Sequence, residues 1–181
     1  MFFAPLPAVV VPDTVITERT SHYDIKAIDE PGLVKEMNEK GPAGGGSSFW
    51  AITNGGVSSS WETKQVGSSC VLVNPRVSVG INIVYPSWVP PAGVKPQVVA
   101  KWNAMLKAMV HHEGEHAQIA RDQGNALTAV LRAHSSDSTC ERLESYLKMK
   151  DAEIGKKREA ADLELDDRTS HGSKEGVAIS W

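Results

Sequence analysis

The sequence predicts an α+β fold, a small antiparallel sheet packed against one long helix and a second helix antiparallel to it. Three observations carry that expectation. Short alternating stretches and glycine- or proline-bearing turns fill the first half of the chain. Apolar residues at helical spacing then run from about 96 to 133, and again from about 138 to 165. Only the turn Ser135-Ser136-Asp137 separates these two stretches, which makes the helices antiparallel neighbours. There is no internal repeat.

The totals set bounds. The chain has 181 residues, enough for one domain with a real core. A net charge of −3, with lysines and arginines spread out apart from Lys156-Lys157-Arg158, argues against nucleic-acid binding. No apolar run has transmembrane length. Met1 to Pro12 is apolar but rich in proline and lacks a leading positive charge, so it is a poor signal peptide. It reads as a flexible arm or as the start left by a removed signal. The oligomeric state has no signature in the sequence.

Residues 1–20 read as a flexible lead-in, and 21–181 as a single domain. His22 to Ile28 alternates as a short strand. Asp29-Glu30-Pro31 then opens a helix through about Lys40, with proline and acids in the first turn. The glycine run 41–46 lacks a following Gly-Lys-Ser/Thr and is a loop, not a phosphate cradle. Gly55-Gly56, flanked by Ser48–Asn54 and Val57–Lys64, signals a hairpin. Val66 to Ser69 turns. Cys70–Val73 and Arg76–Tyr85 supply further strand, with Pro75 as a break or edge position. Tyr85 to Pro91 is a rigid connector. Ser138, with Glu141 three residues on, starts the second helix as a capping box.

The chemistry lies in His112-Glu113-Gly114-Glu115-His116. On a helix the two histidines stand one turn apart on one face and can reach one Zn²⁺ at ~2.0–2.1 Å. Both continue the apolar stripe of Trp102, Met105, Met109, Ala120 and Leu127, so they point inward. Glu113 falls beside the metal, placed as general base toward a metal-activated water. His111 lies about 100° around the helix, in register with Glu115, and both read as a solvated face.

A catalytic zinc usually takes three protein ligands and keeps one open position. Asp122 lacks the helix-ending glycine three residues before it, where Ile119 stands. Glu141 and Glu144 have adequate roles on a solvated helix face, and His134 lies several turns away. His171, before Gly172 in a polar tail, reads equally as a ligand and as a surface histidine on spacing alone. Asp166 or Asp167 can accept an imidazole N–H there. Cys70 and Cys140 are compatible with one disulfide or with two buried thiols.

From Tyr23 to Ala178 the chain resembles the bacterial family of predicted secreted zinc-dependent proteases, catalogued as domain of unknown function 922. The matching features are Gly41-Pro42, Trp50 and Trp61, Cys70, Tyr85-Pro86-Ser87-Trp88, His112 to His116, Cys140 and a tail motif. That motif, Tyr-Asp-x-x-Thr-x-His-Gly-x-x-x-Gly, is met here by Asp166, Thr169, His171, Gly172 and Gly176, with Leu165 in the tyrosine place. A tyrosine hydroxyl at that point therefore has no counterpart. The resemblance implies a zincin-like fold, a zinc site, a secreted or periplasmic protein and a Cys70–Cys140 disulfide. It makes His171, carried by a tail that closes the metal site, the favoured third ligand. The expected function is zinc-dependent hydrolysis of a peptide or protein substrate, with Glu113 as base. The alternative is an exported, non-catalytic binding module that keeps zinc for stability.

Overall fold

The computed structural model describes residues 9–44 and 47–178. Its elements are β1 (Val15–Ile25), α1 (Glu30–Lys40), β2 (Ala43–Gly44), β3 (Ser47–Ser48), β4 (Ile52–Val66), β5 (Ser69–Trp88), α2 (Pro96–Ala133), β6 (Ser136–Asp137) and α3 (Cys140–Thr169), then a 3-10 turn, Ser173–Glu175. The α+β class is as expected. The main sheet runs β1-β5-β4, with β6 also paired to β5, and it is mixed rather than wholly antiparallel. β6 pairs antiparallel with β5, and β4 meets β5 through a tight turn. The parallel partner is therefore β1, which reaches β5 only after α1 has intervened.

Several boundaries differ from the sequence reading, three of them in the strands of the first half of the chain. β1 begins at Val15, inside the segment read as a lead-in, and its residues to His22 are exposed on both faces. With no buried face there is no alternation to read. Gly55-Gly56 does not turn but lies within β4; the turn comes at Gly67-Ser68, with Gly67 at φ +60°. Glycine in that conformation suits the first central position of a two-residue hairpin. Pro75 does not end a strand either. Asn74 at φ +50° kinks β5 just before it, and clean alternation resumes at Val77.

The chain forms two compact units. The first takes residues 9–17, Gly56–Gly80 and Ile119–Ala160. Its core joins Val11, Cys70, Leu72 and Val77 to Leu127 and Leu131 of α2 and to Leu143 and Leu147 of α3. Cys70 and Cys140 form the disulfide that the family resemblance implied, with Cα atoms 5.0 Å apart. Gly124 lets α2 approach β5: a Cβ there would come within 2.3 Å of Val79 Cγ2. Thr139, not Ser138, caps α3, its Oγ1 accepting from the Arg142 N–H at 3.3 Å.

The second unit takes the described residues of Glu18–Gly55, Ile81–Gln118 and Ala161–Trp181. α1 forms as expected: Asp29 Oδ1 accepts from the Gly32 N–H at 2.9 Å, and Leu33 and Met37 are fully buried. Ile81, Ile83, Trp88, Trp102, Met105 and Met109 complete the core. The Trp88 and Trp102 rings meet edge-on at 5.3 Å, and Trp88 Nε1–H donates to Ala27 O at 2.9 Å. Gly41 admits the Phe49 carbonyl, which a Cβ would meet at 2.1 Å. Tyr23 Oη–H donates to Trp50 O at 2.7 Å and fixes the same segment. Among the described residues no helix is long and apolar enough to cross a membrane.

Candidate metal centre

His112, Glu113 and His116 all lie on α2 within the second unit. His112 is buried, as the inward stripe predicts, and His116 is half-buried; Glu113, read as lying beside the stripe, is buried too. The two imidazoles meet edge-on, with centroids 4.9 Å apart. Facing them is the last part of α3. It was expected to be tail after Leu165, yet Asp166 to Thr169 remain helical. Asp162 and Asp166 thereby stand at i and i+4, the same spacing as the two histidines.

Each imidazole is gripped at Nδ1. His116 Nδ1 lies 2.9 Å from Asp162 Oδ1, and His112 Nδ1 lies 3.1 Å from Glu175 Oε2. Glu175 arrives because the chain reverses after α3. Ser170, His171 and Gly172 all have positive φ, at 51°, 51° and 76°. The buried Thr169 hydroxyl accepts from the Gly172 N–H at 3.0 Å, and Val177 N–H donates to Gly172 O at 3.0 Å. Only glycine suits position 172, since a Cβ would come within 2.7 Å of Val177 Cγ2 and 3.1 Å of the His112 ring.

The Nε2 atoms converge on one oxygen. Asp166 Oδ1 lies 3.4 Å from His112 Nε2 and 3.2 Å from His116 Nε2. In a neutral ring whose Nδ1–H donates to a carboxylate, Nε2 presents a lone pair. A lone pair facing a carboxylate oxygen calls for a proton or a cation between them. Burial draws the His116 pKa down, but the hydrogen bond to Asp162 and the charges of Asp166 and Glu113 outweigh it and raise it above the ordinary value. The pocket thus favours positive charge. Two ligands ~2.0–2.1 Å from a tetrahedral ion lie roughly 3.3–3.4 Å apart, so the separations of Asp166 Oδ1 from the two Nε2 atoms suit such an ion. Two imidazoles and a carboxylate are also a donor set that zinc accepts.

Glu113 adjoins this group without joining it. Burial raises its pKa, opposed by a hydrogen bond from Thr53 and by the two imidazoles. The single Thr53 hydroxyl proton is shared with the Glu113 main-chain carbonyl, 3.1 Å from Oγ1. His171 stands differently from His112 and His116. His112, His116 and Asp166 have ligand atoms all within 4.8 Å of one another; the His171 side chain, two-thirds exposed, meets that group at Nδ1, 3.4 Å from Asp166 Oδ1, while its backbone N–H donates to Asp166 O at 2.9 Å. His111 and Glu115, read as a solvated face, are joined by Glu175 into a neighbouring group. Arg168 supplies a cation there, 3.5 Å from Glu115 and 3.9 Å from Glu175.

Residues 20–172 match the family described as "Bacterial protein of unknown function (DUF922)". The chain belongs to this family. No curated protein and no solved structure matches it. Family membership therefore supplies no activity, and the chemistry rests on the residues themselves.

Two partners were absent from the sequence reading, Asp162 and Glu175. The signal for Asp162 was its spacing, four residues before Asp166 on a helix antiparallel to the one carrying His112 and His116. Glu175 had no such signal, because the turn that delivers it depends on three successive positive φ angles.

Proposed function

We propose that the chain is a zinc-dependent, zincin-like peptidase, with His112, His116 and Asp166 as ligands and Glu113 as general base. The observation that carries this reading is the paired grip on the imidazoles. Each Nδ1 is held by a carboxylate and each Nε2 is turned to the same point, beside a buried glutamate. Such carboxylate–histidine pairs orient metal ligands and raise their basicity. Asp166 replaces His171 as our choice of third ligand because it meets both Nε2 atoms. Zinc would supply Lewis acidity at the reacting carbonyl and lower the pKa of water. Glu113 would hold the proton taken from the attacking water at its carboxylate and return it to the departing amine. Its burial supports this, because a carboxylate kept from solvent is a stronger base than an exposed one. An oxidising compartment, secreted or periplasmic, suits the Cys70–Cys140 disulfide.

A second reading has its own observation. His171 Nδ1 lies 3.4 Å from Asp166 Oδ1, the oxygen that meets both Nε2 atoms, so an inward shift of this side chain would supply a fourth ligand and close the site. The zinc would then be structural and the protein a binding module. Replacing zinc with cobalt(II) separates the two: an open site changes its visible spectrum when a hydroxamate is added, and a closed one does not. Metal analysis of the His112→Ala, His116→Ala double variant tests the site itself. Zinc should fall from one equivalent to none, and retained stoichiometric zinc would remove the assignment.

A further inference from the structure

Beside the metal centre, within the same unit, is a cavity of about 220 Å³ lined by His22, Tyr85, Pro86, Ser87, Trp88, Trp102, Leu106 and Val110. Its buried walls are Tyr85, Pro86, Trp88 and Trp102, while His22 and Val110 are exposed at its mouth. We propose that this cavity is the side-chain subsite of the peptidase, selecting a peptide with an aromatic or large aliphatic residue next to the bond that Glu113 serves. The inference rests on the peptidase reading and deepens it.

Four observations support it. The first is size: an apolar cavity of about 150 Å³ accepts benzene, so a volume of this order admits a phenylalanine or leucine side chain. The second is chemistry: the lining has no carboxylate, lysine or arginine to pair with a charged side chain, and Trp88 Nε1–H is already committed to Ala27 O. The third is position. Leu106, Val110 and Glu113 follow at i, i+4 and i+7 on α2, so the cavity wall and the base share one helix face. Tyr85 ties the two together again: burial, with the nearby charges of Glu113 and Glu18, pushes its hydroxyl up to about 12. The fourth is backbone anchorage. His22 belongs to β1, whose only neighbour in the sheet among the described residues is β5. A peptide added along the open edge of β1 would satisfy its main chain there, with alternate side chains turned toward the cavity.

The test uses zinc-loaded Glu113→Gln protein, which can bind a peptide without consuming it. The probes are alanine-based hexapeptides carrying a single phenylalanine walked through each position, with the all-alanine peptide as reference. Tryptophan fluorescence reads binding, since Trp88 and Trp102 line the cavity. One phenylalanine position should bind at least ~10-fold tighter than the reference, as expected for burying one large apolar side chain. Val110→Trp, at a half-exposed position that the fold does not depend on, fills the mouth and should abolish that preference with zinc content unchanged. Equal affinity for all peptides, or a preference untouched by Val110→Trp, overturns the subsite whatever the wild type cleaves. If the preferred peptide binds but the wild-type protein leaves it intact, the peptidase reading fails and the pocket stands.

Discussion

The same two helices are joined in two chemically opposite ways. In the first unit Leu127 and Leu131 of α2 share an apolar cluster with Leu143 and Leu147 of α3, locked by the Cys70–Cys140 disulfide. In the second unit His112 and His116 of α2 meet Asp162 and Asp166 of α3. The apolar pairing is complete in itself, since burial of those side chains is favourable without any further partner. The polar pairing is not. Buried Glu113 and half-buried Asp162, Asp166 and Glu175 crowd around two imidazoles, and like charges withdrawn from water disfavour one another. The first arrangement stores stability, and the second stores a demand for a cation.

Breaking the polar arrangement at its base should produce the largest change, and it should appear in turnover alone. Glu113→Gln is expected to lower peptide hydrolysis by roughly 10²–10⁴-fold, the usual contribution of a positioned acid–base group. Zinc should remain at one equivalent, and the thermal midpoint should hold or rise, because a buried charge has been removed. Normal turnover by this variant on a peptide the wild type cleaves would exclude Glu113 as the base.

Breaking the apolar arrangement should do the reverse. Cys70→Ser with Cys140→Ser opens a loop of sequence separation 70 and should cost about 3–5 kcal/mol on the chain-entropy account. Leu131→Ala, at a fully buried position, should cost about 2–5 kcal/mol. Denaturant unfolding measures both. Folded protein of either variant should still bind zinc with near wild-type affinity. A coupled loss of zinc affinity would mean that the two halves are not energetically separate.

How much of this was legible in the sequence follows from the same contrast. Leucines at helical spacing announce a buried face, so α2, α3 and their mutual apolar contacts could be read directly. His112, Glu113 and His116 were legible as a candidate site because their spacing puts two imidazoles on one helix face beside a carboxylate. The disulfide was open on spacing and followed only from the family resemblance. The strand register was harder. Gly55-Gly56 looks like a turn, but glycine only permits a turn, and β4 runs straight through. Asp162 was hidden because a polar face carries no apolar period, and a carboxylate on a helix usually faces water. Glu175 depends on backbone angles at Ser170 and His171 that such residues seldom adopt.

A smaller effect tests the grip on the imidazoles. Asp162→Asn keeps the shape and an acceptor oxygen but removes the charge that raises the basicity of His116. Zinc affinity should fall by about 10–100-fold, the range for a lost carboxylate behind a ligand histidine. Competition with a chelator measures it. The apolar half offers a control: Glu144→Gln, at a carboxylate bonded to Thr63 and Lys148 in the first unit, should leave zinc affinity unchanged. Equal losses for both variants would point to general electrostatics and away from a specific grip.

The smallest effect is expected at His171, where sequence and geometry favour different ligands. The family resemblance makes His171 the third ligand, whereas the Nε2 atoms of His112 and His116 both point at Asp166. A ligand is held on all sides, but the His171 side chain is two-thirds exposed and touches the group through one 3.4 Å contact to Asp166 Oδ1. Its backbone sits at φ +51°, a conformation that costs a residue with a Cβ about 1 kcal/mol and costs glycine little. His171→Gly therefore loses a weak contact and relieves strain, so its stability should change by no more than about 1 kcal/mol. Zinc affinity should fall only a few-fold, because the lost imidazole orients Asp166 without binding the ion. Asp166→Asn should cost far more, since it weakens a direct ligand. If the order is reversed, so that His171→Gly abolishes zinc binding while Asp166→Asn leaves it nearly intact, His171 is the ligand. Asp166 would then be the carboxylate that orients it.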